Sequence, residues 1–185
     1  MSTRSKTDKF LKEAFSTAVY FLVVFALAAF VLKFVGQRSV VDGSSMNDTL
    51  YDGESVWVNK FTYRFSDPER FDIIVFPYKY QENTFFIKRV IGLPGETVQI
   101  LEDGTILING EVLQEDYGKE VIREDRRGTA AEPVTLGENE YFVMGDNRND
   151  SMDSRYPNVG PITKDEMIGK AVFRLFPVSK MGGIE

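Results

Sequence analysis

Residues 14–32, AFSTAVYFLVVFALAAFVL, run for nineteen positions without a charge. As a helix such a run reaches about 28 Å, close to the ~30 Å hydrocarbon core of a bilayer. Its few polar residues, Ser16, Thr17 and Tyr20, gather at one end rather than forming a stripe, which argues against a soluble amphipathic helix. The pattern predicts a transmembrane helix over 14–35. The stretch that follows, Lys33-Phe34-Val35-Gly36-Gln37-Arg38, offers no small-x-small cleavage site, and Ala26 and Ala28 lie deep inside the apolar run. The expectation is therefore an uncleaved signal anchor. Arg4, Lys6, Lys9 and Lys12 precede the span while only Lys33 and Arg38 follow closely. This bias puts residues 1–13 in the cytoplasm and residues 36–185 on the outer face.

Beyond the span the apolar period changes. Short β-branched and aromatic runs alternate with turn residues, the pattern of an antiparallel sheet protein. Strands are expected over 55–59, 72–76, 84–91, 97–101, 105–108, 140–144 and 171–176. Glu102-Asp103-Gly104, Asn109-Gly110 and Leu93-Pro94-Gly95 supply turns, because Gly and Asn tolerate positive φ. One helix is expected over 163–170, where Thr163 and Glu166 have capping-box spacing. Residues 112–139 are rich in charge and poor in apolar period, and are expected to form an exposed excursion or small inserted subdomain. The fold class is thus mainly β: an antiparallel-sheet domain with a small insertion, preceded by one transmembrane helix.

Charge narrows the partners. Residues 1–38 carry +4, so the remaining 147 residues of the 185 carry −10 of the net −6. An acidic globular part is a poor nucleic-acid surface. There is no cysteine and no histidine, which removes disulfides, Ser-His-Asp and Cys-His catalysis, and His- or Cys-ligated metals. A covalent catalyst built from this composition needs a hydroxyl activated by another base, and a lysine amine held neutral by its surroundings is the ordinary one left.

Two stretches fit that chemistry. In the strand Phe86-Ile87-Lys88-Arg89-Val90, Lys88 shares a face with Phe86 and Val90. An ammonium on an apolar face loses hydration, which lowers its pKa and frees part of it as a base. Val41-Asp42-Gly43-Ser44-Ser45-Met46 offers the hydroxyl. Taken singly, a strand lysine also reads as a solvated edge residue and Gly-Ser-Ser as loop chemistry.

The joint pattern carries more. Gly43-x-Ser45-Met46-x-x-Thr49-Leu50 stands just after the span, followed by Lys88-Arg89-Val90-Ile91-Gly92-Leu93-Pro94-Gly95 and by Gly145-Asp146-Asn147-Arg148-Asn149-Asp150-Ser151-Met152-Asp153-Ser154-Arg155. These blocks, in this order from the anchor to about residue 176, closely resemble bacterial type I signal peptidase in its short Gram-positive form. The resemblance implies a membrane-anchored serine endopeptidase that removes signal peptides from exported preproteins bearing small residues before the cleaved bond, working in the bilayer plane near the secretion translocon. It implies Ser45 as nucleophile, Lys88 as general base, Ser151 as the group that holds the lysine amine, and supporting pairs Asp146 with Arg89 and Asp153 with Arg155. The Ser45 N–H would serve the oxyanion, and no cofactor is implied.

The chain departs from the family pattern at Gly43, where some members carry a further oxyanion serine, and at Asp48, the place of a usual proline. The pieces Asp52-Gly53-Glu54, Phe71-Asp72 and Pro94-Gly95-Glu96 also differ. Ser44 remains an alternative nucleophile. Asp146, Asp150 and Asp153 do not fit a calcium loop, since the third and sixth positions counted from Asp146 are Arg148 and Ser151; no metal is expected. Two other readings stay open: a Ser-Lys hydrolase of the self-cleaving repressor kind, against which the span and the acidic globular part count, and a non-catalytic membrane-bound assembly factor, which would be free to lose the serine and lysine kept here.

Overall fold

The computed structural model describes residues 3–184 as two units, divided between Gly36 and Gln37. The first is helix α1, Thr3–Phe30, continued by one π-helical turn, Val31–Val35. Its large apolar side chains, Phe15, Leu22 and Phe25 among them, are exposed. A helix apolar on every side has no soluble core to face. Lys9–Val35 is long and apolar enough to cross a membrane, a feature compatible with a transmembrane anchor.

The second unit is mainly β. Its strands are β1 Gly36–Val40, β2 Ser55–Asn59, β3 Ile73–Pro77, β4 Phe85–Gly92, β5 Thr97–Ile100, β6 Ile106–Ile108, β7 Glu111–Val112, β8 Val134–Thr135, β9 Glu140–Met144, β10 Ile162–Thr163, β11 Gly169–Phe176 and β12 Gly182–Gly183. One sheet runs β1-β2-β11-β3-β4-β9-β10 with β12 on β11, and a second runs β7-β6-β5-β8. Within the first, β3 pairs with β4, β4 with β9, and β11 with both β2 and β3, all antiparallel. The turns expected at Gly95, Gly104 and Asn109-Gly110 all take positive φ.

The period of two places the cores. Along β3, Ile73 and Val75 pack with Val56, Val58 and Ala171, while Ile74 and Phe76 pack on the opposite face with Val90, Tyr141 and Val143. The strand is therefore buried on both faces, which explains its unbroken apolar run. Each such side chain taken fully from water stabilises the fold by about 1.5–3 kcal/mol.

One expected element is replaced in the structure. The helix expected over 163–170 is a single 3-10 turn, Lys164–Glu166. Its capping box is present, with Glu166 accepting from Thr163 N at 2.7 Å. Continuation loses to sheet pairing: Ile168 N donates to Val75 O at 2.8 Å, and Gly169 opens β11 opposite Val75. A Cβ on Gly169 would lie 2.2 Å from the Asn59 carbonyl oxygen. Gly169→Ala is therefore expected to destabilise the domain by about 1–3 kcal/mol, measured as a lowered thermal midpoint. Residues 112–139 contribute Ile122, Ala130 and Leu136 to a third core with Val98, Ile100 and Phe142, and β8 pairs with β5. These anchors are far apart in sequence, so no period announced them.

Candidate active site

The loop between β1 and β2 carries the two serines. Its ends are tied together, Val41 N donating to Glu54 O at 2.8 Å and Gly53 N to Val41 O at 2.9 Å. Between them Leu50 N donates to Met46 O at 2.8 Å, a helical turn that puts Met46 and Leu50 on one side, where both are buried. These two side chains plug the loop into the core beneath it, and Ser45 stands next to the first plug. Gly43 has a φ of 93°, a left-handed backbone that favours glycine. Its N–H donates to Asp52 Oδ1 at 2.8 Å.

Lys88 reaches this loop from β4, where it is paired with Ile74 of β3. Its Nζ lies 2.7 Å from Ser45 Oγ and donates to Ile87 O at 2.9 Å. The amine is 5.0 Å from the centroid of the Phe86 ring, the neighbour expected on its face, and the residue is 3 % exposed. Burial pushes its pKa down to about 8, and Arg155 lowers it further while Asp153 and Asp146 oppose the shift. At neutral pH a measurable share of Lys88 is therefore a neutral amine, and in that form the Ser45 hydroxyl donates to it.

The third block, 145–155, clamps the serine loop. Asn147 N donates to Ser45 O at 3.0 Å, Asn147 Nδ2 to Ser44 O at 3.1 Å, Ser44 Oγ to Asp150 Oδ2 at 2.6 Å, and Thr49 Oγ1 to Asp146 Oδ2 at 2.5 Å. Ser44 is thus held by Asp150, while Ser45 faces Lys88. Gly145 must be glycine for space: a Cβ there would lie 2.4 Å from both the Ser45 carbonyl oxygen and Ser151 Oγ.

Two buried ion pairs fix the block. Arg89 donates through Nε to Asp146 Oδ1 at 2.9 Å and through Nη2 to Asp146 Oδ2 at 2.8 Å. Arg155 donates likewise to Asp153 at 2.8 Å from each nitrogen, and Asp153 Oδ2 also accepts from Gly145 N at 3.0 Å. All four side chains are fully buried. Asp146, Asp150 and Asp153 each have a protein partner. Ser151 is brought into the site, but no hydrogen bond joins it to Lys88; its Oγ is buried without a partner.

Several contacts of the site had no signal in the sequence. The ring of Tyr117 lies 3.6 Å from the Arg89 guanidinium, and Glu115 takes both ends of the Arg148 fork. Arg174, on the last long strand, lies 2.8 Å from Glu54 Oε2 and donates to Thr49 O at 2.5 Å. Thr49 itself stood in the first sequence block without an assigned role. A cavity of about 160 Å³ opens beside Ser45 and Lys88, lined by Val41, Val56, Val75, Ile87 and Met152 among others.

A model of the family described as signal peptidase, peptidase S26, matches residues 14–176. The chain is 36% identical over 185 residues to signal peptidase I T of Bacillus subtilis (strain 168), covering 97% of this chain and 92% of that one. It is likewise 36% identical to a signal peptidase I of Bacillus amyloliquefaciens, covering 97% of each. The crystal structure of a signal peptidase I from Enterococcus faecalis V583 is 37% identical, with a TM-score of 0.46, covering 57% of this chain and 97% of that one. The blocks quoted from the sequence all fall within the matched residues, and the chain belongs to the signal peptidase family, peptidase S26.

Proposed function

We propose that this chain is a membrane-anchored serine endopeptidase that uses a Ser45-Lys88 dyad to remove N-terminal signal peptides from exported preproteins. The observation that carries the reading is the 2.7 Å approach of Lys88 Nζ to Ser45 Oγ together with the depressed pKa of that amine. Family membership supplies the substrate class.

In the proposed reaction the neutral Lys88 amine takes the Ser45 hydroxyl proton as Oγ bonds to the scissile carbonyl carbon. The Ser45 N–H stabilises the oxyanion; the serine hydroxyl that some family members add has no counterpart at Gly43, whose own N–H is engaged by Asp52. As the intermediate collapses the C–N bond breaks, and the Lys88 ammonium returns its proton to the leaving amine. A water then attacks the ester with Lys88 again as base, which frees Ser45 and the cut signal peptide. The ammonium has three N–H groups, two of which are met by Ser45 and Ile87, so Ser151 Oγ is the group we assign to the third. Asp146 with Arg89 and Asp153 with Arg155 hold the backbone that aligns these groups.

The cavity beside Ser45 is small, with Val41, Val56, Val75 and Ile87 in its walls beside Ser39 and Asp42, and its size suits small residues before the cleaved bond. The helix Lys9–Val35 is the proposed anchor, with residues 1–13 cytoplasmic and residues 36–185 outside, the lysine and arginine bias supplying the direction. That arrangement restricts the search to chains held in the same bilayer, near the translocon that delivers them.

The test is cleavage of a purified preprotein by the full chain in lipid across pH 6 to 10. Activity should climb about tenfold per unit below pH 8 and level off above it, since only the neutral amine is a base. Ser45→Ala should cut nothing at any pH. An activity flat across this range would remove Lys88 from the role of base, and cutting by Ser45→Ala would remove Ser45.

A further inference from the structure

A second cavity, about 280 Å³, lies on the other side of Met152, which lines it as well as the cavity beside Ser45. Its remaining walls are Arg126, Asp150, Ser151, Tyr156 and Asn158. Three buried polar atoms belong to these walls: Ser151 Oγ, assigned above to the Lys88 ammonium, and Arg126 Nε and Tyr156 Oη, whose side chains lie against each other. Buried groups of this kind are ordinarily paired, and Arg126 and Tyr156 together line the cavity as a place to meet polar atoms from elsewhere. The guanidinium and the phenol can both donate a hydrogen bond. Asp150 is already engaged by Ser44.

The wall is also held in place. Arg155, one of the buried pair that supports the serine and lysine, donates through Nη1 to the Arg126 carbonyl at 2.8 Å. Thr129 N donates to Arg155 O at 2.8 Å. Arg126 thus comes from the charged 112–139 segment but is moored to the block that shapes the active site. The nearest carboxylate to Arg126 Nε is Asp125, 3.7 Å away and 70% exposed, a solvated partner that competes weakly for the guanidinium.

We propose that this cavity receives the first residues after the cleaved bond, and that Arg126 and Tyr156 select an acceptor side chain there, a carboxylate before an amide. The inference rests on the Ser45-Lys88 reading. A peptide laid across Ser45 occupies the cavity beside it with the residues before the bond, and its continuation past Met152 enters the donor-lined one. Charge-assisted hydrogen bonds from a guanidinium favour a carboxylate over an amide and disfavour an ammonium.

The experiment uses the full chain in lipid and preproteins that carry Asp, Asn, Ala or Lys at each of the first three positions after the bond. The quantity read is the ratio of kcat/KM between Asp and Lys substrates within one enzyme, in which any change of overall activity or stability cancels. At one of the positions wild type should favour Asp by about tenfold, with Asn intermediate. Arg126→Gln should flatten the ratio, Arg126→Glu should invert it, and Tyr156→Phe should reduce it. A ratio equal in wild type and both Arg126 variants, or near one at all three positions, overturns the inference while leaving Ser45 and Lys88 in their roles. If wild type cuts none of these preproteins, the proposed function falls and this inference falls with it.

Discussion

Lys88→Met is expected to lower kcat/KM for preprotein cleavage by at least about 10⁴-fold, and Ser45→Ala by a similar factor, with the double variant no worse than either. The non-additivity follows from the geometry. The two atoms are 2.7 Å apart and act on one proton, so losing either partner removes the whole activation. The same lysine substitution has an opposite effect on stability. A pKa depressed from 10.5 to about 8 means that the fold disfavours the charged amine by about 3 kcal/mol, at ~1.4 kcal/mol per pH unit. Between pH 8 and 10.5 the unfolded chain binds the proton that the folded chain has released, so this contribution makes stability rise with pH and is fully unfavourable below pH 8. Met fills the same volume without a charge. The thermal midpoint of Lys88→Met, compared with wild type from pH 7 to 10.5, should show its largest relative advantage at pH 7 and lose it toward the upper end. A difference that does not change with pH would contradict a buried, depressed Lys88.

Asp146→Ala should destabilise the second unit by about 3–5 kcal/mol, because it leaves the fully buried Arg89 guanidinium without its counter-charge. For a domain of this size that corresponds to a fall in thermal midpoint of roughly 10 °C. Asp153→Ala should act in the same way on Arg155, whose burial is equally complete. The contrast between these two positions and an exposed pair such as Lys9 with Glu13 is one of desolvation: the exposed pair loses little when broken. Activity of the folded fraction should also fall in Asp146→Ala, since Asp146 accepts from Thr49 in the serine loop. A midpoint within about 1 °C of wild type would show that the Arg89 charge finds another partner, and the support assigned to Asp146 would be withdrawn.

The departures from the family pattern have visible substitutes. Asp48 stands where a proline is usual, yet the turn is still closed by Leu50 N on Met46 O and weighted by the two buried side chains. Glu54, in place of the usual aspartate, reaches Arg174 at 2.8 Å and takes the Tyr51 N–H at 3.2 Å. The C-terminal strand thereby holds the far end of the loop that carries Ser45.

What the sequence determined by itself was local in its physics. An uncharged run of nineteen residues makes an apolar helix, alternation makes β2 and β9 with the expected bounds, and Gly or Asn at positive φ makes the turns. Lys88, Arg89 and the block from Gly145 were legible as a set because their spacing carried a family pattern. The 163–170 helix failed because its capping box was real while the demand of β3 for a partner at Gly169 lay outside the segment. Only the tertiary structure decided the rest. Burial beside Phe86 is what removes water from Lys88, the hydrogen bond to Asp150 is what separates Ser44 from Ser45, and the clamp of Arg155 on the Arg126 carbonyl is what brings a charged surface stretch to the edge of the site. Each of these depends on contacts between residues distant in the chain, and no local pattern encodes the burial that gives them their energy.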